Sequence, residues 1–367
     1  MVATELGKAL AQEGHQVHFI TYSQPTRLDF FNENLFYHEV DIKPYPLFQY
    51  PPYEIALASA MVDVVKNEGI ELLHVHYAVP HASAAYMAKE ILKTSGDAIP
   101  FITTLHGTDI TIVGKDASLE PVVTFSINKS DSITAVSADL KKDTYDHFNV
   151  TKDIYVIPNF IDLKRFKRQK KDHFKKAICP HDEKLVVHTS NFRKVKRVDD
   201  VIETFKKIHE TVPSKLLLVG DGPERMRIEE ACRQSDFSHD VRFLGKLEAV
   251  EEVLSVADLF IMPSEKESFG LAALEAMACQ VPVISTNVGG LPELNVNGET
   301  GYLCDVGDVE DMAAKSIKIL DAKNLQKFKD AALARAKTFD IENVLPMYED
   351  LYNKTIEEFK TSMQTKC

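Results

Sequence analysis

The chain has 367 residues, a formal charge of −12, 44% hydrophobic residues and five cysteines. That length allows two domains with sizeable cores, and the acidic balance excludes a general nucleic-acid binder, so an anionic ligand would need a local cluster of positive charge. No run approaches the ~18–20 apolar residues of a membrane span, and the N-terminus lacks the basic-then-apolar layout of a signal peptide. The cysteines, Cys179, Cys232, Cys279, Cys304 and Cys367, are scattered and odd in number. They point to a reducing cytoplasm and not to a disulfide framework.

In chain order, Met1 to Glu13 reads as a helix with an apolar stripe of Leu6, Ala9 and Leu10, ended by Gly14. Gln16 to Tyr22 reads as a strand. An α/β nucleotide-binding domain normally opens with a strand and a Gly-rich turn before its first helix. The order here leads to the expectation that a first strand and its phosphate-facing loop are absent; the alternative is a domain built without them. A strand near Phe36 to Asp41, an aromatic, Pro-broken loop from Tyr45 to Tyr53 and a helix from Glu54 to Asn67 follow. Ile70 to His76 is an apolar strand, and its two histidines, His74 and His76, fit a strand end better than a metal site. Pro80 opens another helix.

Pro100 to Leu105 is a buried-type strand ending in His106-Gly107-Thr108-Asp109. Polar residues just past the carboxyl end of a parallel strand are where α/β folds bind ligands. The plainer reading is a turn in which Asp109 caps a helix. Strand Ser130 to Val136, a helix through His147 and a strand to Pro158 lead to a basic run from Lys164 to Lys176, more in keeping with a solvated linker than with a membrane contact. The alternation then repeats with strands Leu185 to Thr189, Lys215 to Val219, Val241 to Leu244, Asp258 to Met262 and Val281 to Ser285. Gly289-Gly290-Leu291-Pro292-Glu293 reads as a turn, and helices dominate from Asp308 onward. Gly220-Asp221-Gly222-Pro223-Glu224 is a weak match to a phosphate loop, because Arg225 stands where the third glycine belongs.

Two constellations carry chemistry. Arg193, Lys194, Lys196 and Arg197 are bunched just past a strand end, where one or two would suit a diphosphate; a solvated helix start is the alternative. Glu267-Ser268-Phe269-Gly270-Leu271-Ala272-Ala273-Leu274-Glu275 sets two carboxylates eight residues apart at a helix expected to begin near Ser268. That spacing would put Glu267 at the helix N-terminus, where N–H groups favour phosphate or hydroxyls, and Glu275 about two turns along on nearly the same face. Gly270 would let a ligand approach the backbone. Taken alone, such a pair is more often a solvated helix face. No Cys-x-x-Cys cluster, Ser-His-Asp pattern or acidic magnesium cluster stands out.

The stretch from Ser264 to Ala278 resembles the E-x7-E motif of the retaining glycosyltransferases of family 4. The resemblance extends over nearly the whole chain, through His74-Val75-His76-Tyr77-Ala78-Val79-Pro80-His81, Thr104 to Thr111, Ser190 to Arg197 and Val219 to Glu224. It implies the GT-B fold, an α/β architecture of two Rossmann-like domains facing across a cleft. The N-terminal, acceptor-binding domain would take residues 1–160 and the UDP-sugar-binding domain residues 161–341, with a last helix at 342–367 crossing back. Phe48-Gln49-Tyr50-Pro51-Pro52-Tyr53 is similar to the branch of family 4 that opens bacillithiol biosynthesis. That likeness implies transfer of N-acetylglucosamine from UDP-GlcNAc to the hydroxyl of L-malate with the α configuration kept, in the cytoplasm.

By the same resemblance, Glu275 binds the ribose hydroxyls of UDP and Glu267 a hydroxyl of the transferred sugar. Ser268 belongs to the donor loop, and the backbone N–H groups of Phe269, Gly270 and Leu271 face the sugar and β-phosphate. Lys196, with Arg193 or Arg197, neutralises the diphosphate, and the strand end at Leu244 meets uracil. His106 stands near the reacting carbon, and Tyr77 and Thr108 near malate. No cofactor, metal, nucleic acid or membrane insertion is implied, and a homo-oligomer stays open. Relatives carry Arg five residues before the Lys, where this chain has Asn191, so which arginine serves is undecided. The missing first strand and Gly-rich loop would leave a destabilised N-terminal domain with weak catalysis. A lipid acceptor, or a UDP-binding remnant, are the alternatives.

Overall fold

The computed structural model describes residues 1–25, 28, 32–42, 52–113, 116, 118–169 and 172–365. Most of the aromatic loop at 45–53, together with Lys170, Lys171 and Cys367, lies outside them. The chain forms two compact units, one of residues 1–159 with 341–367 and the other of residues 160–340.

In the first unit, α1 (Val2–Gln12) buries Leu6, Leu10 and Ala11 at helical spacing. Strands β1 (Val17–Thr21) and β2 (Leu35–Glu39) pair in parallel, Val17 opposite Leu35. Helix α2 (Tyr53–Glu68) buries Leu57, Ala58, Met61, Val64 and Val65. A second parallel sheet runs β3 (Leu73–His76), β4 (Phe101–Leu105), β5 (Ser132–Ala135) and β6 (Ile154–Val156), connected through α3 (Ser83–Ser95), α4 (Glu120–Lys129) and α5 (Ala138–His147). Every residue of β4 and β5 is buried, as expected of parallel strands covered on both faces. Among the described residues β1 pairs only with β2, and β3 only with β4, so the unit holds two sheets. They share a core: Ile20 of β1 packs against the cluster of Leu57, Leu73, Val75 and Phe101.

In the second unit, α6 (Asp172–Ile178) precedes six parallel strands. These are β7 (Lys184–Ser190), β8 (Ser214–Gly220), β9 (Val241–Gly245), β10 (Leu259–Met262), β11 (Val283–Thr286) and β12 (Gly301–Cys304), in spatial order β12-β11-β10-β7-β8-β9. The connecting helices are α7 (Val198–His209), α8 (Arg225–Arg233), α9 (Val250–Leu254), α10 (Leu271–Ala278) and α11 (Leu291–Leu294), followed by α12 (Val309–Leu320) and α13 (Ala322–Lys337). The chain runs outward from β7 to β9, then returns to lay β10 on the other side of β7, Leu259 opposite Val186. The carboxyl ends of β7 and β10 therefore meet at the point where strand order reverses, the preferred ligand crevice of an open parallel sheet. The last helix, α14 (Ile341–Gln364), belongs to the first unit, burying Val344, Leu345, Tyr348 and Leu351.

Three local expectations are corrected. Pro80 does not open a regular helix: Ala78–Ala82 form one wide turn and α3 begins at Ser83, because Val79 is extended at φ −130°, the conformation favoured before proline. The helix expected from Ser268 begins at Leu271, since Gly270 at φ +98° is left-handed and cannot be helical. The turn at Gly289–Glu293 closes into the short helix α11. Helices α4 and α6 and the short edge strand β12 were not visible as elements in the pattern.

Candidate active site

The basic loop of the second unit leaves β7 at Ser190 and turns through Lys194–Lys196 as one 3-10 turn, ending at Arg197 with φ +47°. Phe192 anchors it, fully buried and edge-on to Phe243. Gly220 and Gly222 explain the neighbouring glycines. A Cβ on either would stand 1.8 Å from a backbone oxygen, that of Ser190 or that of Asn191. The Gly220-Asp221-Gly222 stretch thus packs against the basic loop and supports it. Arg197 is committed to Asp200, Nε to Oδ2 at 2.6 Å. Arg193 is exposed and has no ion pair among the described residues.

The segment after β10 is pinned on three sides. Glu265 N donates to Val195 O at 2.8 Å and Gly290 N donates to Glu267 O at 3.0 Å. Thr286 Oγ1 donates to Ser264 O at 2.6 Å. Gly289 lies so close that a Cβ there would be 1.9 Å from Glu267 O. Held in this way, Glu267 Oε2 meets Lys196 Nζ at 2.5 Å, both side chains half-buried. A charge-assisted bond of this kind contributes about 1.5–3 kcal/mol gross of desolvation.

The two glutamates are not a pair on one helix face. Glu267 stands three residues before the Gly270 cap, and only Glu275 is helical, buried at 6% exposure in the second turn of α10. Gly270 answers to internal packing as well as to its φ, since a Cβ there would meet Leu291 at 2.6 Å. Ser268 is half-buried, while Phe269 is buried edge-on to Phe339 at 5.6 Å. Leu271 opens α10, whose Ala273 N and Leu274 N bond to Gly270 O, so the preceding N–H groups lack intrahelical partners. Leu244 lies at the carboxyl end of β9, 36% exposed.

In the first unit, the ends of β3 and β4 bring a second group together. His76 Nδ1 and His106 Nε2 are 2.7 Å apart, their rings stacked at 5.0 Å. His74 stacks on His76 at 4.6 Å and bonds to Tyr352 OH and Thr104 Oγ1, each at 2.7 Å. Tyr77, at φ +78°, sets its ring 5.0 Å from His106, and Thr108 is exposed two residues beyond His106. Burial lowers the affinity of these rings for a proton, to about 4 for His106 and about 3 for His74, so they are neutral near pH 7. Asp109 is not a solvent-facing ligand. It is 2% exposed and accepts from Ala78 N and Gly107 N at 3.0 Å each, tying the β3 and β4 loops together. Burial pushes its carboxyl up.

Sequence reasoning missed His76 as the partner of His106, the Gly289–Gly290 brace and the contact of Tyr352 with His74. The first lay hidden in a strand alternation that also suits a simple strand end. Among the described residues there is no group of three or more His, Cys, Asp or Glu that could hold a metal. No helix among them is long and apolar enough to cross a membrane.

Two family models match, Glycosyltransferase Family 4 over residues 1–165 and Glycosyl transferases group 1 over residues 169–335. The chain is 46% identical over 363 residues, 98% of its length and 94% of the relative's, to N-acetyl-alpha-D-glucosaminyl L-malate synthase of Bacillus anthracis. Its fold is similar to sucrose-phosphate synthase of Thermosynechococcus elongatus, with a TM-score of 0.79 at 22% identity over 96% of this chain and 92% of that one. It is also similar to HepE of Anabaena in complex with UDP and glucose, with a TM-score of 0.79 at 18% identity over 96% and 95%. These likenesses show the GT-B fold, two Rossmann-like domains each built on parallel strands. The chain is a glycosyltransferase and belongs to glycosyltransferase family 4.

Proposed function

We propose that the chain transfers N-acetylglucosamine from UDP-GlcNAc to the hydroxyl of L-malate with retention of the α configuration, the opening step of bacillithiol biosynthesis. The observation that carries this reading is the full-length similarity to the B. anthracis synthase. The basic loop and the E-x7-E segment at one topological switch point support a nucleotide-sugar donor.

In this reading Lys196 and Arg193 neutralise the departing diphosphate, Arg197 being held by Asp200. Glu267 takes a hydroxyl of the transferred sugar and Glu275 the ribose hydroxyls. Ser268 and the N–H groups of Phe269, Gly270 and Leu271 face the sugar and β-phosphate, and Leu244 meets uracil through its backbone. His106 stands at the reacting carbon, with Tyr77 and Thr108 toward malate. The anomeric carbon's bond to the phosphate oxygen breaks while the malate oxygen bonds from the same face. The malate proton passes to the leaving oxygen. The protein's contribution is positioning and charge stabilisation, and the cationic side chains take the place of a metal. In this reading the second unit takes the donor and the first the acceptor.

UDP release from UDP-GlcNAc, measured with and without L-malate, tests the reading, and the product's anomeric configuration follows from its proton NMR coupling. Malate-dependent release of an α-linked product is expected. Release that is independent of malate but stimulated by lipid vesicles would overturn the acceptor, and a β-linked product the stereochemistry.

A further inference from the structure

We propose that His76 is a positioning residue for His106: it holds the ring orientation of His106 and couples the tautomers of the two rings, so that Nδ1 of His106 faces a ligand in the role opposite to the one Nε2 plays toward His76. The proposal deepens the reading above, and it rests on that reading only for the claim that His106 meets substrate.

The geometry carries it. His76 Nδ1 lies 2.7 Å from His106 Nε2, so one of the two nitrogens donates and the other accepts. In a neutral imidazole the state of Nε2 dictates the opposite state at Nδ1. Nδ1 of His106 has no protein partner among the described residues and is left for a ligand. His76 is itself held. His74 stacks on its ring at 4.6 Å and is anchored by Tyr352 of α14 and Thr104 of β4. The two strand ends cannot slide apart, because Asp109 bonds Ala78 N, two residues after His76, and Gly107 N, next to His106.

The groups facing this pair are His74 on β3, His81 on the wide turn and Tyr77 between them, while Tyr348 and Tyr352 of α14 pack on His74 and the Asp109 carboxylate is taken up by backbone N–H groups. None supplies a carboxylate acceptor to the ring of His106, so His76 is the partner to which its tautomer is coupled. A ring with no such partner would turn and change tautomer independently and lose the orientation a positioned group needs.

The test compares His76→Phe, which keeps an aromatic ring for stacking but no hydrogen bond, with His76→Asn, which keeps a polar atom near the place of Nδ1. The His76→Phe variant is expected to lower kcat by about tenfold or more, the size of one net hydrogen bond, with the KM for UDP-GlcNAc within roughly twofold. His76→Asn is expected to restore most of kcat. The acid limb of the pH–rate profile should move in His76→Phe and not in His76→Asn. Ring 15N spectra of histidine-labelled protein read the bond without turnover: a hydrogen-bonded shift at Nε2 of His106 is expected in the unaltered chain and in His76→Asn, and its loss in His76→Phe. Equal kcat in the two variants, or an unchanged Nε2 shift of His106 in His76→Phe, would overturn the proposal. If the unaltered chain shows no malate-dependent turnover, the functional reading fails and the 15N spectra alone decide the role of His76.

Discussion

Lys196 Nζ stands 2.5 Å from Glu267 Oε2, although the two residues are 71 apart in the chain. The pairing follows from the return of β10 to the flank of β7, which puts the loops after both strands side by side. It holds the ammonium in place before any ligand arrives. Lys196→Ala is expected to lower kcat by about a hundredfold or more, the loss typical of one preorganised charge on a leaving group, measured as UDP release. Glu267→Gln keeps the shape and a hydrogen-bond acceptor, so a smaller loss is expected. Equal activity of Lys196→Ala and the unaltered chain would remove Lys196 from the mechanism.

Arg193 and Arg197 should separate cleanly. Arg193 is exposed and carries no ion pair among the described residues, whereas Arg197 is bonded to Asp200 through two nitrogens, at 2.6 and 3.2 Å. Arg193→Ala is expected to weaken UDP binding about tenfold by calorimetry, the equivalent of one charged hydrogen bond. Arg197→Ala should leave the UDP dissociation constant within about twofold and lower stability by roughly 1–2 kcal/mol, since the pair is part-buried and Asp200 would lose its partner. The reverse ranking would hand the diphosphate to Arg197.

The glycine braces make a prediction that needs no catalysis. At Gly289, φ is +56° and a Cβ would lie 1.9 Å from Glu267 O, so Gly289→Ala must displace the segment that carries Glu267. At Gly14, φ is +95° but nothing lies within 4 Å of a Cβ. Gly14→Ala should therefore cost only its left-handed backbone strain, about 1–2 kcal/mol. Gly289→Ala should lose UDP binding by more than about tenfold while Gly14→Ala keeps it, read by the UDP-induced rise in Tm. Intact UDP binding in Gly289→Ala would show that the segment adapts.

Acid should destabilise the protein in two steps. Burial holds His106 and His188 neutral down to about pH 4 and His74 to about 3, while unfolded histidines protonate near pH ~6.5. Between those values the unfolded chain binds more protons, so stability falls as pH drops from ~6.5 toward 4, on the order of 3 kcal/mol for each ring. Asp258 acts lower. Burial alone would raise its carboxyl, but Lys329 at 2.8 Å and Lys175 at 2.6 Å hold it down to about 2. Its contribution is present above pH ~4 and is lost as pH falls toward 2. Denaturant midpoints recorded from pH 7 to 3 check this; a flat profile from 7 to 4 would sink the account of the buried histidines.

The strand–helix alternation was legible residue by residue because its signals are local. Apolar runs of parallel-strand type located eleven of the twelve strands, and the pattern failed only at β12, a four-residue edge strand carrying Gly301 and a half-buried Tyr302. The residues around Glu267 and Glu275 and the basic cluster at 193–197 were also readable, since their types and spacing are chemical facts of the chain. The role of each glutamate was not. Spacing suggested one shared helix face, and the left-handed backbone of Gly270 moved the helix start past Glu267.

What the sequence by itself determined is the fold class, the family and the set of candidate side chains, because hydrophobic periodicity and motif composition depend on near neighbours. Only the tertiary structure decided which of those side chains meet. The pairing of Lys196 with Glu267, the bond between His76 and His106 and the withdrawal of Arg197 to Asp200 are settled by strand order and by backbones in contact at Gly220, Gly222 and Gly289. Contacts between loops tens of residues apart arise from how a sheet is threaded, and no periodicity in the chain records that threading.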